Sequence, residues 1–508
     1  MASLTSFHWQ DLRLESTADF ILVAICLLII RNIITRTLRW YRLRHIPGPA
    51  LCGWTSLWLT WQYYRGTIQY RTEDFFEKYG PIVRIGPNEI MCFDPDEVRR
   101  IMSLKSGYTK DRWYKAGQVH PSEENTMSIL DPDTRKHWKK KLLPAYAGKG
   151  TANFESCIDI GLGKWLESVA QRYAAKEVDM DLSQQVHFAA LDTLGEIALG
   201  QPLGFVENNA DQGDFLKINE TMLPILLSIS NYSPVFKLMS LWPLKYLLPR
   251  AGDKVGLGAV LSFAQGIIDE RLKPDAKPNK DMLQVFINSG LGHDQLLSEV
   301  GLQFIAGSDS TANTITLTLF HLLTNPGKYQ KLREEVDPVS SHGPNDIIPD
   351  SVAKNLPYLQ ACIREALRIQ TPVASGPFHK AVPPGGDTLC GKHLPYGTRV
   401  STNGAVYAIG RAKAYWGADA KVFRPERWLE ADAATKQRMV DMVDLTWGAG
   451  AFVCPGKAIG LIEAGKAVAE VVRRFDISLV NPDEPAHFRS ALVWLIHDFL
   501  VRVEYRKN

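Results

Sequence analysis

The sequence predicts an α+β fold, predominantly α-helical, with small β-sheets and one N-terminal membrane-anchor helix. Three observations carry this. Residues from about 135 to 335 follow a helical period. Short alternating segments broken by Pro and Gly lie near both ends of the chain, at 81–93, 372–402 and 491–505. A single uninterrupted apolar run, Phe20 to Ile30, precedes them. Of the 508 residues, 45% are apolar and 22% charged, which excludes a disordered chain. The net charge is +3, from 58 Lys+Arg and 55 Asp+Glu, so no basic excess points to nucleic acid. One near-spanning segment also excludes a polytopic membrane protein. The seven cysteines (Cys26, Cys52, Cys92, Cys157, Cys362, Cys390, Cys454) are odd in number, dispersed and never C-x-x-C. They read as a reduced chain facing the cytosol, without a disulfide framework or a clustered zinc site.

Extended to 18–34, the apolar run has 17 residues, the lower limit for a span. Residues 1–19 hold Asp11, Glu15 and Asp19 against Arg13, and residues 31–44 hold Arg31, Arg36, Arg39, Arg42 and Arg44 with no acid. This asymmetry places the rest of the chain in the cytosol and argues against a cleaved signal peptide. The competing reading is a buried helix of the globular domain. Residues 1–45 are thus an anchor with a basic stop-transfer segment, and 46–508 a single large unit. Pro47-Gly48-Pro49 cannot continue a helix and forms a stiff hinge. Residues 81–93 alternate as strands around a turn at Gly86-Pro87-Asn88. Lys273 to Asp281 and Ser340 to Asp350 are polar surface loops. Pro383-Pro384-Gly385-Gly386 and Tyr396-Gly397 break the short strands between 372 and 402.

Four segments carry candidate chemistry. In WGAGAFVCPG, Trp447 to Gly456, Gly448 and Gly450 admit backbone conformations closed to other residues. Cys454 then stands at the mouth of an apolar helix, with Pro455 suited to its first turn. Free N–H groups and the helix dipole favour thiolate there, and such a thiolate suits metal ligation. An inert buried cysteine is the bland alternative. The long apolar helix Leu296 to Leu323 carries Ala306, Gly307, Ser308, Asp309, Ser310 and Thr311 at its middle. Gly307 and the hydroxyls permit a local bulge, and the acid with its hydroxyls makes a plausible proton relay. A solvated helix face is the alternative. Glu365-x-x-Arg368 can form a bidentate pair, and Arg427 of FRPERW is a possible third member of a structural network. The same spacing at Glu97 and Arg100 reads as a surface pair. The basic run Arg135 to Lys141 is either a solvated face or a site for an anionic cofactor group or acidic partner.

In this order and spacing, these segments make the chain resemble a cytochrome P450, a haem-thiolate monooxygenase. The likeness runs from the Pro47-Gly48-Pro49 hinge to the C-terminus. KYGPIVRIGPNE, FRPERWLE and KAIGLIEAGKAVAEVVRRFD resemble fungal microsomal members of secondary metabolism, including the pisatin-demethylase-like group. The resemblance implies a cytochrome P450 fold in residues 46–508. It implies haem b, with Cys454 as the axial iron ligand. Trp447, Gly448, Gly450 and Gly456 would shape the cofactor loop, Asp309, Ser310 and Thr311 would deliver protons, and Glu365, Arg368 and Arg427 would brace the core. Substrate walls would come from 111–130, 222–245, 302–310, 372–378 and Val493–Ile496. Implied partners are NADPH–cytochrome P450 reductase, cytochrome b5, membrane lipid and a hydrophobic small molecule. The implied location is the endoplasmic reticulum membrane, single-pass, with the catalytic domain cytosolic. Three positions depart from the family pattern: Trp447 replaces Phe, Ser310 replaces Thr, and Phe452 replaces the Arg that contacts a haem propionate. Lys380, His379 or the run 139–141 could supply the missing charge. A haem-thiolate isomerase or dehydratase working without O2, and a non-enzymatic haem-binding protein, are the alternatives.

Overall fold

Residues 17–230, 252–339 and 346–506 are described by the computed structural model of the chain. The apolar run lies in α1, Thr17–Arg42, a helix of 26 residues. No breaker follows Ile34 until Pro47, so the helix outruns the 18–34 segment by two turns. It spans about 39 Å, enough for a hydrocarbon core of about 30 Å. Phe20, Ile21, Leu22, Leu27 and Leu28 are each about 60% exposed. A helix that packs none of these side chains against the domain is not a core helix, which overturns that alternative and fits a membrane anchor. Its last turns are tied down. The buried Arg84 donates to the carbonyls of Arg39 and Trp40 at 3.1 Å each, and Trp40 stacks on Trp54. Leu43 and Ile46 enter the core.

Among the described residues, twelve short strands form four small sheets. They are β1 Ile82–Gly86, β2 Glu89–Cys92, β3 Thr109–Lys110, β4 Asp179–Asp181, β5 Lys380–Ala381 and β6 Asp387–Leu389. They continue with β7 Lys392–Leu394, β8 Arg399–Ser401, β9 Phe475–Leu479, β10 His487–Ala491, β11 Val493–His497 and β12 Leu500–Tyr505. The largest has the order β1-β2-β8-β5-β3, with β2 and β8 parallel and its other pairs antiparallel. The β1–β2 hairpin turns at Pro87-Asn88, as the sequence predicts. The C-terminal stretch divides into two sheets. β11 pairs back on β10 through Leu492, at φ +71°, and β12 lies between β4 and β9.

The remaining elements that frame the site are helices: α2 Leu57–Arg65, α3 Pro132–Tyr146, α4 Phe154–Arg172, α5 Leu182–Leu199, α6 Phe215–Ser230 and α7 Gly256–Arg271. They continue with α8 His293–Leu323, α9 Pro357–Ile369 and α10 Lys457–Arg474. At 31 residues, α8 is the central beam and packs on α5, α7, α9 and α10. One large apolar core fills these contacts, with Phe304, Leu317, Leu319 and Val468 fully buried. A second core, including Leu43, Ile85, Ile90 and Val400, lies around the five-stranded sheet.

Candidate active site

The loop from Trp447 to Gly456 is shaped by its glycines. Gly448 has φ +72° and Gly450 φ +52°. A Cβ on Gly448 would come within 2.5 Å of the Phe452 carbonyl, and one on Gly450 within 2.5 Å of the Met102 carbonyl. Both positions therefore require glycine. The Cys454 N–H closes the loop on the Trp447 carbonyl at 2.7 Å. Helix α10 starts at Lys457 with Gly456 at its N-cap. Pro455 thus lies before the first turn and not within it, because Gly456 takes the cap position. The N–H groups of Gly456 and Lys457 still reach the sulfur, and with Lys139 and Lys457 they favour thiolate. Burial outweighs them and raises the thiol's pKa. The helix mouth thus favours thiolate, as the sequence expects, and burial opposes it. A coordinated metal cation would ionise the thiol. Cys454 is nonetheless solvent-accessible.

Helix α8 exposes one stripe inside an otherwise buried beam. Phe304, Ser308, Ala312 and Asn313 are buried, whereas Leu302, Ile305, Ala306, Ser310 and Thr311 are accessible. At 100° per residue Leu302, Ile305, Ala306 and Ser310 lie within about 140° of one another and so share a face, whereas Thr311 turns about 100° beyond Ser310. α10 crosses α8 where a Cβ on Gly460 would lie 3.5 Å from Thr311 Oγ1 and 3.7 Å from the Trp447 ring. The expected bulge is not present. Ser308 Oγ donates to the Phe304 carbonyl at 2.6 Å and Ser310 Oγ to the Ala306 carbonyl at 2.7 Å, while the helix runs on unbroken. Gly307 instead admits the Leu194 side chain of α5, 3.2 Å from where a Cβ would sit.

One residue along the helix turns about 100°, so Asp309 does not share the direction of Ser310. It is buried, and its Oδ1 lies 3.7 Å from Nε2 of His187 on α5. Burial raises the Asp309 pKa, and the positive charge of His187 opposes that. His187 Nδ1 is 2.8 Å from the Ser183 carbonyl. The sequence reading missed His187, for nothing local links it to residue 309.

Phe452 is the centre of a cationic cluster. The Arg135 guanidinium lies 4.6 Å and Lys380 Nζ 4.2 Å from its ring centroid. Lys139 Nζ donates to the Ala451 carbonyl at 2.9 Å. Lys110 Nζ donates to the carbonyls of Thr126 and Met127 at 2.8 Å each. Fully buried, Lys380 also donates to Tyr114 Oη and to the Phe378 carbonyl. Burial, then mutual repulsion, pushes Lys110 down to about 6 and Lys380 well below its usual range. Among the described residues none of the four forms an ion pair with a carboxylate, and Arg135 Nη1 is buried with no hydrogen-bond partner. Arg135 and Lys139 share a face of α3, so the basic run reaches the cysteine loop through this face. His379 is also buried, with Nδ1 on Arg399 and no hydrogen-bond partner at Nε2.

These features fit haem b. Cys454 offers an accessible sulfur, the α8 stripe offers an apolar surface, and the cations await an anion such as the propionates. Other expected walls converge here. Trp113 and Tyr114 pack on Phe378 with centroids 5.0 and 6.0 Å away. Val119 closes on α8 at Gly301, and Asn313 Nδ2 donates to the Trp494 carbonyl at 2.9 Å. Residues 231–245 of the expected 222–245 wall lie outside the described residues.

Glu365 and Arg368 of α9 form a fully buried bidentate pair, with contacts of 2.9 and 2.8 Å. Arg427 Nε and Trp428 Nε1 complete the carboxylate at 2.9 Å each. The remaining Arg368 hydrogens go to the carbonyls of Gly410, Ala420 and Val422. Burial pushes the Glu365 carboxyl up, but Arg368 and Arg427 hold it below the usual carboxylate range. Glu97 and Arg100 pair at 2.6 Å on the surface.

The chain matches the cytochrome P450 family over residues 47–501. It is 33% identical over 469 residues to the cytochrome P450 monooxygenase aba1 of Botryotinia fuckeliana, covering 91% of this chain and 92% of that one. Over 488 residues it is 31% identical to the cytochrome P450 monooxygenase abl1 of Leptosphaeria maculans, covering 94% and 85%. A third relative, the cytochrome P450 monooxygenase gsfF of Penicillium aethiopicum, is 31% identical over 474 residues, covering 90% and 91%. With a match over nearly its whole length and a loop, a central helix and a cation cluster that fit haem b, this chain belongs to the cytochrome P450 family.

Proposed function

We propose that this monooxygenase inserts one oxygen atom from O2 into a hydrophobic small molecule of fungal secondary metabolism, using NADPH electrons delivered by a reductase. The observation that carries the reading is the accessible Cys454 sulfur in the glycine-shaped loop that leads into α10, the helix whose Gly460 packs against Thr311 of α8. Cys454 would bind the haem iron, with Trp447, Gly448, Gly450 and Gly456 holding its loop. Bound haem supplies the oxidising chemistry. The chain's own residues do the rest. Lys380, Arg135 and Lys139 take the anionic edge of the cofactor in place of the Arg missing at Phe452. Leu302, Ile305 and Ala306 exclude water from the reacting face. Asp309 holds a proton that Ser310 and Thr311 pass on from the accessible side of α8. Glu365, Arg368 and Arg427 brace the core behind the site. Residues 1–45 anchor the catalytic domain, residues 46–508, to the cytosolic face of the endoplasmic reticulum membrane. Lipid and cytochrome b5 are further partners.

In labelled O2, one labelled atom is expected in the product, with turnover dependent on NADPH and reductase. Turnover without either would favour the oxygen-independent isomerase or dehydratase. Cys454→Ala is expected to remove the long-wavelength Soret band of the reduced, carbon-monoxide-bound protein. Retention of that band would move the ligand to another cysteine.

A further inference from the structure

Asp309 is buried in the middle of α8. Once it gives up its proton it must regain one, and its own helix offers no second titratable group there. The group that faces it is on α5. His187 Nε2 stands 3.7 Å from Asp309 Oδ1. Its other nitrogen is committed: a carbonyl only accepts, so Nδ1 donates its hydrogen to the Ser183 carbonyl at 2.8 Å in either charge state. The neutral ring therefore keeps its hydrogen on Nδ1 and turns the Nε2 lone pair toward Asp309. Gain and loss of charge occur at Nε2, the atom facing the carboxylate.

We propose that His187 is a positioning residue that stores the proton for Asp309 and renews it from solvent. When Asp309 has released its proton, Nε2–H+ of His187 passes its proton to the carboxylate. This leaves a neutral acid and a neutral ring with hydrogen on Nδ1. A solvent proton then returns to Nε2, and the pair is restored with charge and atoms balanced. The outward side is also furnished. The charge of His187 acts on Asp181 of β4 and on Glu220 of α6. Glu220 lies 3.7 Å from His497 of β11, and both side chains of that pair are more than 40% exposed. Among the described residues, Asp309, Asp181 and Glu220 are the titratable groups on which the charge of His187 acts, and Glu220 pairs in turn with His497. They lead from the core of α8 to the rim between α6 and β11.

The inference rests on the reading of Asp309 as the proton-holding acid, but its test needs neither O2 nor NADPH. The measurement is infrared spectroscopy of the reduced, carbon-monoxide-bound holoenzyme. The carboxyl band of Asp309 is assigned by its loss in Asp309→Asn, and its hydrogen is exchanged on transfer to D2O. His187→Gln keeps a donor for Ser183 but cannot carry a proton at working pH. His187→Arg keeps the positive charge but does not release it. Exchange is expected to slow about tenfold or more in both variants, with the thiolate Soret band intact. In His187→Gln the carboxyl band should also persist to higher pH, because the opposing positive charge is gone. Unchanged exchange in both variants overturns the proposal. So does wild-type exchange in His187→Arg alone, since charge pairing would then suffice. If neither variant retains haem, the half-exposed Glu220→Gln takes their place. It must slow exchange, and an unchanged rate overturns the relay. The labelled-O2 experiment fails or succeeds independently of these outcomes.

Discussion

Glu463 sits fully inside α10, behind the cysteine loop, and its Oε1 has no hydrogen-bond partner among the described residues. Burial raises its pKa to about 8, so the side chain is a neutral acid at physiological pH. The unfolded chain would hold this carboxyl near 4.5. Between these values the native state binds more protons than the unfolded state, so stability falls as pH rises through the window. Glu463→Gln removes that dependence. It is expected to match the wild type near pH 4 and to exceed its stability by about 3 kcal/mol at pH 7. Melting temperatures of both proteins at several pH values check this, and parallel curves would refute it. The sequence shows Glu463 only as one acid in an apolar helix. Its cost depends on neighbours from other elements. The same holds for Phe452. Its replacement of Arg is visible in the sequence, but only packing reveals the cations gathered on its ring.

Among the elements, the crossing of α9 with the short helix Val406–Arg411 has the least tolerance. A Cβ on Gly410 would stand 1.9 Å from the Arg368 carbonyl oxygen, a backbone atom that cannot swing aside. Arg368 also donates to the Gly410 carbonyl, so separating the two helices would strip a buried guanidinium of an acceptor. Gly410→Ala is expected to cost about 3 kcal/mol or more, seen as a lower midpoint in denaturant with faster haem loss. A wild-type midpoint would mean that the crossing slides freely. The E-x-x-R spacing was legible because i, i+3 partners share a helix face. Gly410 was not, because its role exists only where two helices meet. For the same reason Gly307 suggested a bulge in α8, when its absent side chain makes room for Leu194.

At the scale of the whole molecule, α1 belongs to both the anchor and the domain. Its apolar half is exposed, while its last turn supplies carbonyls to Arg84 and leads into the buried Leu43. Removal of residues 1–34 is expected to release the protein from membranes at near-normal stability. Removal of 1–45 also takes away Leu43 and two acceptors of the buried Arg84. It is expected to cost several kcal/mol more, because a buried charge is left short of partners. Membrane pelleting and melting temperature of the two truncations decide the matter. Equal stability would place the boundary of the folded unit after residue 45.

Patterns that act within a few residues were determined by the sequence alone. Examples are the turn at Pro87-Asn88, the helical course of residues 296–323, the glycines before Cys454 and the charge asymmetry around the apolar run. In each, backbone sterics, helix period or local charge sets the outcome without distant partners. Tertiary structure decided which distant groups meet and what burial does to them. It set His187 against Asp309 and gathered Lys110, Arg135 and Lys380 near Phe452. It also placed Cys454 where burial outweighs the helix mouth. The free energy of a charge depends on every atom that replaces water around it, and those atoms come from segments far apart in the chain.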